Sequence, residues 1–210
     1  IITVGGDIRP SSDSTTALNI ANAAGTDFVT FDTTNSRVGF GTTAPDLSFV
    51  VASNVFAIIS PTSYGTNAGG FIGRRANGTQ ALPTAVGANE IVMSLGGRGY
   101  HSDGAFPSAN NAVIFFVAAE AFTSTAQGMY IRFDTTPAGS TTRPERMRIT
   151  DAGNLGLGTT SAPTGGAPCI AFAQGTDPTG IGANTAGVYA KDVAGTAELF
   201  GFDEAGNVTQ

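Results

Sequence analysis

One phrase occurs twice in this chain and begins a third time, and it dictates extended backbone wherever it stands. The first copy reads Phe28-Val29-Thr30-Phe31-Asp32-Thr33-Thr34-Asn35-Ser36-Arg37-Val38-Gly39-Phe40-Gly41-Thr42-Thr43-Ala44-Pro45. The second runs from Met147-Arg148-Ile149-Thr150-Asp151-Ala152-Gly153-Asn154 through Leu155-Gly156-Leu157-Gly158-Thr159-Thr160-Ser161-Ala162-Pro163, and Leu199 to Val208 start a third. Each copy is an alternating apolar strand, an Asp/Asn/Gly turn, a second strand of apolar-Gly-apolar-Gly type, and a Thr-Thr tail stopped by Pro. Period-two alternation suits a strand because successive side chains point to opposite faces. Asp and Asn close turns through side-chain hydrogen bonds, and Gly accepts positive φ without strain. The phrase is therefore predicted to be a β-hairpin.

Gly39, Gly41, Gly156 and Gly158 need a separate reason, since Gly in a strand costs roughly 0.5–1 kcal/mol relative to Ala. Close approach of another backbone is the usual one. A lone hairpin is marginal in water, and the copies lie too far apart in sequence to stack as a tandem solenoid. Three identical chains around a common axis satisfy both needs. The expectation is a homotrimeric fibre with Gly39, Gly41, Gly156 and Gly158 at the trimer axis and interchain hairpins between subunits. On this reading Gly156 and Gly158 tolerate replacement far less than Gly165 and Gly166 in the linker that follows.

Composition agrees. Of 210 residues 29 are Gly and only 12% are charged, against about 7% Gly and about 25% charged in ordinary domains. Thr and Gly favour short strands and tight turns over helices, which gives an all-β class. A net charge of −6 argues against nucleic acid and against anionic membrane surfaces, both of which attract clustered Lys and Arg. The longest apolar run, Ala112 to Phe122, is broken by Glu120 and falls short of the roughly 20 residues that span a bilayer. The single cysteine, Cys169, excludes an intrachain disulfide and a multi-Cys zinc site, and the single histidine, His101, excludes a His-rich one. The Asp/Asn/Gly turns supply no complete Ca²⁺ loop, so no cofactor or metal is expected. The chain opens Ile1-Ile2-Thr3 with no charged-then-apolar leader, and Gln210 stops in mid-pattern. It is expected to be a piece of a longer polypeptide.

Four regions follow: a fibre shaft over 1–45 with the first hairpin, a central β domain over 46–142, the second hairpin over 143–163, and an extended stalk over 164–210 with the partial third hairpin. In the central region strands are predicted at Leu47 to Val51, Val55 to Ile59, Glu90 to Leu95, Ala112 to Ala119 and Met129 to Phe133. Their regular punctuation by turn residues reads as a sandwich or jelly-roll-like domain. In the stalk only Cys169 to Phe172 and Val188 to Tyr189 stand out as apolar islands.

The run Glu145-Arg146-Met147-Arg148-Ile149 through Gly158-Thr159-Thr160-Ser161-Ala162-Pro163 resembles the ERMRI…GNVGIGTTSP signature of bacteriophage tail-fibre, tailspike and head-fibre proteins. Arg37 to Pro45 is similar to a second copy, with Phe40 where Ile is usual. Gly70 to Thr79, Leu95 to Tyr100, Ala118 to Glu120 and Phe133 to Ser140 resemble a domain that often precedes this signature, and Phe202 to Gln210 resembles the end of such fibres. The resemblance implies a trimeric virion appendage that contributes to host adsorption, with other tail or capsid proteins and a host surface glycan or receptor as partners. Alternatives within it are a polysaccharide-binding or depolymerising tailspike module and a capsid-attached head fibre; a bacterial adhesin fragment stands outside it. Ser161-Ala162-Pro163 carries one residue more than the usual Ser-Pro.

No catalytic residue is assigned. The loop Gly99-Tyr100-His101-Ser102-Asp103-Gly104 offers Tyr100, His101 and Asp103 as candidate glycan or receptor contacts. Carboxylates for glycan hydrolysis would come from Asp103, Glu120, Asp134 and Glu145, yet Glu120 and Arg132 are expected to form an ion pair. Arg143, Arg146 and Arg148 alternate on one strand face, fit either for an anionic sugar or for carboxylates of a neighbouring chain. Tyr64, Tyr130, Phe71 and Phe106 are read as packing residues, Cys169 as a small buried apolar one, and Asn77 and Asn207 as turn residues rather than glycosylation sites.

Overall fold

The computed structural model describes residues 10–54, 57–64, 68–161, 168–178, 181–183, 185–203 and 207–209. These are strands, turns and irregular segments without a helix, so the chain is all-β. They belong to two compact units, Ile1–Phe71 and Ile72–Gln210. Gly165, Gly166 and the turn residues Glu204 to Gly206 lie outside the described residues, as do Val55 and Phe56; residues 57–59 of that predicted strand are not strand.

The first unit holds a four-stranded sheet of β1 (Leu18–Ala21), β2 (Asp27–Asp32), β3 (Arg37–Phe40) and β4 (Phe49–Val51), in that spatial order. β2 and β3 are the hairpin of the first phrase, antiparallel in the register Thr30↔Gly39. Asp32 makes the turn, its carboxylate accepting from the Asn35 N–H at 2.9 Å and from Asn35 Nδ2 at 2.8 Å. The Thr-Thr-Ala-Pro tail then brings the chain straight back, so that β4 lies parallel to β3 in the register Gly39↔Val50. Parallel neighbours ordinarily need a crossover of a dozen or more residues; residues 41–48 suffice here.

The second unit repeats this module and widens it. Its strands β5 (Asn77–Gly78) and β6 (Pro83–Thr84) form a small ribbon. β7 (Ile91–Gly97), β8 (Ala112–Ala118), β9 (Met129–Thr135), β10 (Glu145–Ile149) and β11 (Leu155–Leu157) form an antiparallel meander, to which β12 (Ile170–Phe172) adds a parallel edge. Of the predicted central strands, those at Glu90 to Leu95, Ala112 to Ala119 and Met129 to Phe133 share one sheet with the second phrase, whose hairpin is β10–β11 and whose return strand is β12, whereas Leu47 to Val51 belongs to the first unit's sheet as β4. Three main-chain bonds match between the modules. Val38 N–H donates to Ser48 O as Leu155 does to Cys169 O, both at 2.9 Å; Gly41 donates to Phe28 O as Gly158 does to Arg146 O; Ala52 donates to Phe40 O as Ala173 does to Leu157 O. The returning chain is latched by a side chain at matching positions: Arg37 Nη1 donates to Pro45 O in the tail at 2.9 Å, and Asn154 Oδ1 accepts from the N–H of Cys169, just before β12, at 2.9 Å.

The alternation of β8 sends Val113, Phe115 and Val117 to one side, where they form the buried core with Tyr130 packed against them. Val86, held by the bond from Phe122 N–H to its carbonyl, is also buried. Beyond β12, the island expected at Val188 to Tyr189 is part of a long hairpin, β13 (Ala186–Val193) with β14 (Thr196–Asp203), continued by β15 (Val208–Thr209). Its turn, Ala194-Gly195, has positive φ at both residues, 53° and 86°, the backbone of a type I′ hairpin.

Each phrase glycine has a reason within its own chain. A Cβ on Gly39 would lie 2.8 Å from Thr42 O, and one on Gly156 would lie 2.7 Å from Thr159 O, because the Thr tail folds back over the strand. Gly41 and Gly158 sit at φ +72° and +70°, where a side chain is strained. The backbone that approaches Gly39 and Gly156 is the tail of their own phrase, while Gly41 and Gly158 face Ala52 O and the Ala173 side chain just past the return strand. Gly156→Val and Gly158→Ala are therefore expected to destabilise the second unit by about 1–3 kcal/mol each, whereas Gly99→Ala, with open space around it, stays within about 0.5 kcal/mol of the parent. Thermal melts followed by circular dichroism measure the difference.

Candidate functional site

The chain between β7 and β8 forms a compact projecting loop. Gly104, at φ +91°, turns the backbone so that His101 N–H donates to Ala105 O at 2.8 Å and Gly104 N–H donates to His101 O at 3.2 Å. Tyr100 closes the loop, its hydroxyl donating to Gly104 O at 2.7 Å and its ring meeting Phe106 edge-on at 5.0 Å. His101 Nδ1 lies 3.3 Å from Asp103 Oδ1. Tyr100 still exposes 65% of its surface. The structure thus brings Tyr100, His101 and Asp103 together on one loop, with an aromatic face beside an imidazole and a carboxylate.

Two residues not singled out in the sequence fix this loop to the sheet. Asn110 Oδ1 accepts from Arg98 Nε at 2.8 Å, and Asn111 Oδ1 accepts from Gly99 N–H at 3.0 Å. The Asn110 side chain fills the space over Gly96, where a Cβ would clash with it. Asn111 O accepts from both the N–H and the hydroxyl of Thr136, at 3.0 and 2.8 Å. A cleft of about 340 Å³ opens here, lined by His101, Asn110, Asn111, Thr136, Thr141 and Arg143 among others. Amides, hydroxyls and the Arg143 guanidinium in a cleft that adjoins the loop carrying the exposed Tyr100 ring suit a hydroxyl-rich ligand, which hydrogen-bonds through its edges and stacks through its C–H faces. The visible signal was an Asn pair directly before an apolar strand.

The candidate carboxylates have other partners. Asp134, with a side chain only 4% exposed, lies 3.1 Å from Arg132 Nε and 3.7 Å from Arg143 Nε. Glu145 takes Arg148 at 2.5 and 2.7 Å, and this hydrogen bond pushes the Arg148 guanidinium further toward its charged form. Arg132 and Arg143 sit over the Phe115 ring at 4.7 and 5.4 Å, and Arg148 sits over Tyr130 at 4.6 Å. The row of charges lies over the core, its arginine planes stacked on aromatic faces. Arg132 pairs with Asp134 rather than Glu120, whose carboxylate accepts from Gly128 N–H at 2.7 Å. The expected alternation of Arg143, Arg146 and Arg148 is broken by a register shift between Glu145 and Met147. Glu145 thereby stands opposite Asp134, and Arg146 donates to Thr135 Oγ1 at 3.3 Å.

Tyr64 is 97% exposed, Phe71 is exposed, and Cys169 is half-buried. Asn77 is more than a turn residue: its Nδ2 donates to Glu90 at 2.7 Å, and Glu90 also accepts from Gly87 N–H at 2.7 Å and pairs with Arg75 at 2.9 Å. These bonds, Asn77 foremost, hold the Glu90 carboxyl below its ordinary 4.5. A second such knot joins the chain's single lysine, Lys191, to Asp177 at 2.7 Å, with Tyr189 donating to the same carboxylate at 3.0 Å. Asp177 is held below its ordinary value by Lys191 first and Tyr189 second. No cluster of metal-ligating side chains occurs among the described residues.

A carboxyl whose folded value is depressed contributes stability that is present above its unfolded value and lost as pH falls through the folded one. The Glu90 contribution is thus complete at neutral pH and fades only below about pH 4.5. Melting temperature against pH is expected to lose part of this acid limb in Glu90→Gln, which is also less stable than the parent at pH 7. Asp134→Ala leaves Arg132 and Arg143 without their carboxylate beside Phe115 and is expected to cost roughly 3 kcal/mol in urea titrations.

No family model and no curated protein matches the chain. Among solved structures, 48% of it is similar to the carboxy-terminal domain of the bacteriophage T5 L-shaped tail fibre with its intramolecular chaperone domain, at 22% identity and a TM-score of 0.44. A second structure of that carboxy-terminal domain is similar over 46% of the chain, at 27% identity and a TM-score of 0.37. The chain covers 25% and 36% of the length of these two structures.

Proposed function

We propose that this chain is a length of a trimeric bacteriophage tail fibre that projects from the virion and contributes to host adsorption. The observation that carries the reading is the repetition of one module. Both glycine phrases, which resemble the fibre signature, fold into a hairpin with a parallel return strand and the same three main-chain bonds. A unit that recurs along a chain is the means by which an elongated protein is extended.

The role is mechanical and adhesive. Strand pairing supplies rigidity, while the loop carrying Tyr100, His101 and Asp103 and the cleft beside it supply contacts to a host surface glycan or receptor. Other tail or capsid proteins hold the fibre on the particle. A catalytic role is not proposed, because Asp134 and Glu145, the two carboxylates set opposite one another, are engaged by arginines rather than open to a sugar.

Light scattering on a sizing column is expected to give three times the mass of the chain at micromolar concentration; a stable monomer overturns the trimer. Purified protein is expected to compete with phage for adsorption to host cells. Tyr100→Ala with His101→Ala is expected to weaken that competition at least tenfold while leaving the melting temperature in place.

A further inference from the structure

The register of the second unit's sheet lines up two rows of side chains across all six strands. One row is Leu95, Ile114, Phe133, Met147, Leu157 and Phe172. The other, two residues along each strand, is Met93, Phe116, Ile131, Ile149, Leu155 and Ile170. All twelve are apolar, and strand alternation sets them on the side opposite the core residues Val113, Phe115 and Val117. None is buried: Leu95 is 47% exposed, Ile149 40% and Ile170 59%.

The first unit repeats the pattern on its own sheet. Its rows are Leu18, Phe31, Val38 and Phe49, and Ile20, Val29, Phe40 and Val51. Leu18, Ile20, Phe40 and Phe49 are exposed, and Val29 in the same rows is buried. In both units the glycine side of the phrase is closed by its own Thr tail, while the apolar side is exposed or half-buried except where Gly73 N–H donates to Met93 Sδ at 3.2 Å and where Val29 is buried.

We infer that these two apolar faces are the surfaces through which copies of this chain pack on one another, and that the phrase glycines face away from that contact. Every side chain in the rows is hydrocarbon or thioether, so the matching surface must itself be apolar and free of charge, and a second copy presents such a face by construction. The chain carries a net charge of −6, but none of it lies in the rows, so copies meet there without placing like charges in contact. The two faces share one construction, and copies of the same chain cover both with a single kind of partner. At about 4.8 Å between strands, the two faces cover on the order of 400 and 270 Å² in projection. The larger lies in the size range of the apolar patches that mark contact sites. That three copies meet, rather than two, rests on the fibre reading above.

The chain contains no tryptophan, so a single introduced one reports its surroundings cleanly. In Ile149→Trp the emission is expected to be blue-shifted and acrylamide quenching at least threefold weaker than in Ser94→Trp, which lies on the other side of β7. Ile149→Glu is expected to lose the oligomer peak in light scattering with its far-UV spectrum unchanged, and Ser94→Glu to keep it. If the parent is a monomer, the trimer and the interface both fall. If the parent is an oligomer while the indole of Ile149→Trp is quenched as readily as that of Ser94→Trp, or while folded Ile149→Glu still assembles, the trimer stands and the assignment of these faces is overturned.

Discussion

The fold of both units depends on one contact, the carbonyl of a threonine laid over the middle of a strand where only glycine leaves room. Thr42 O covers Gly39 and Thr159 O covers Gly156. In the first module the contact lets the chain reverse within residues 41–48 and place a parallel strand where a crossover of a dozen or more residues is ordinarily required. The second glycine of each pair supplies the positive φ that begins the reversal. The returning backbone is then fixed by a side chain at the head of the strand, Arg37 to the tail in one module and Asn154 to the residue before β12 in the other. A guanidinium and a carboxamide do the same work there because what is needed is a polar group that reaches the returning backbone.

The two sides of the wide sheet follow different physics. On one, hydrocarbon from β8 is roofed by arginine planes, and buried Asp134 and Glu145 neutralise part of their charge. An ion-pair row of this kind adds little net stability where it replaces packing, but it is costly to break and fixes strand register. On the other side the register produces unbroken apolar rows with no polar group to complete. The same bulge that moves Glu145 into the charged row keeps Met147 in the apolar one.

Much of this was legible in the sequence. Both hairpins, the absence of helix signals and most central strands follow from period-two alternation between turn residues. The position of the glycines was legible, but their partner was not: one sequence read alone shows that a backbone must come close, and the short range of the Thr tail made the chain itself that backbone. The β13–β14 hairpin was missed because its turn is Ala194-Gly195 rather than Asn-Gly, with Asp192 accepting from Gly195 N–H at 2.7 Å in support. The pairing of Asp134 with Arg132, and the break in the arginine alternation, depend on a bulge that composition does not announce. At the candidate site Tyr100, His101 and Asp103 were readable as one loop, whereas Asn110 and Asn111 look like ordinary turn residues until strand pairing brings them under it.

The outer edge of β7 bears on what kind of assembly such a chain permits. Glu90 O is turned inward to Ala118 N–H, which leaves Ile91 O facing outward, and Arg75 Nη1 occupies it at 2.9 Å. A guanidinium seated on an edge carbonyl denies that edge to an incoming strand. Growth by adding strands sideways, the route to amyloid-like sheets, is blunted at this point. A protein rich in short exposed strands can in this way remain a particle of finite width.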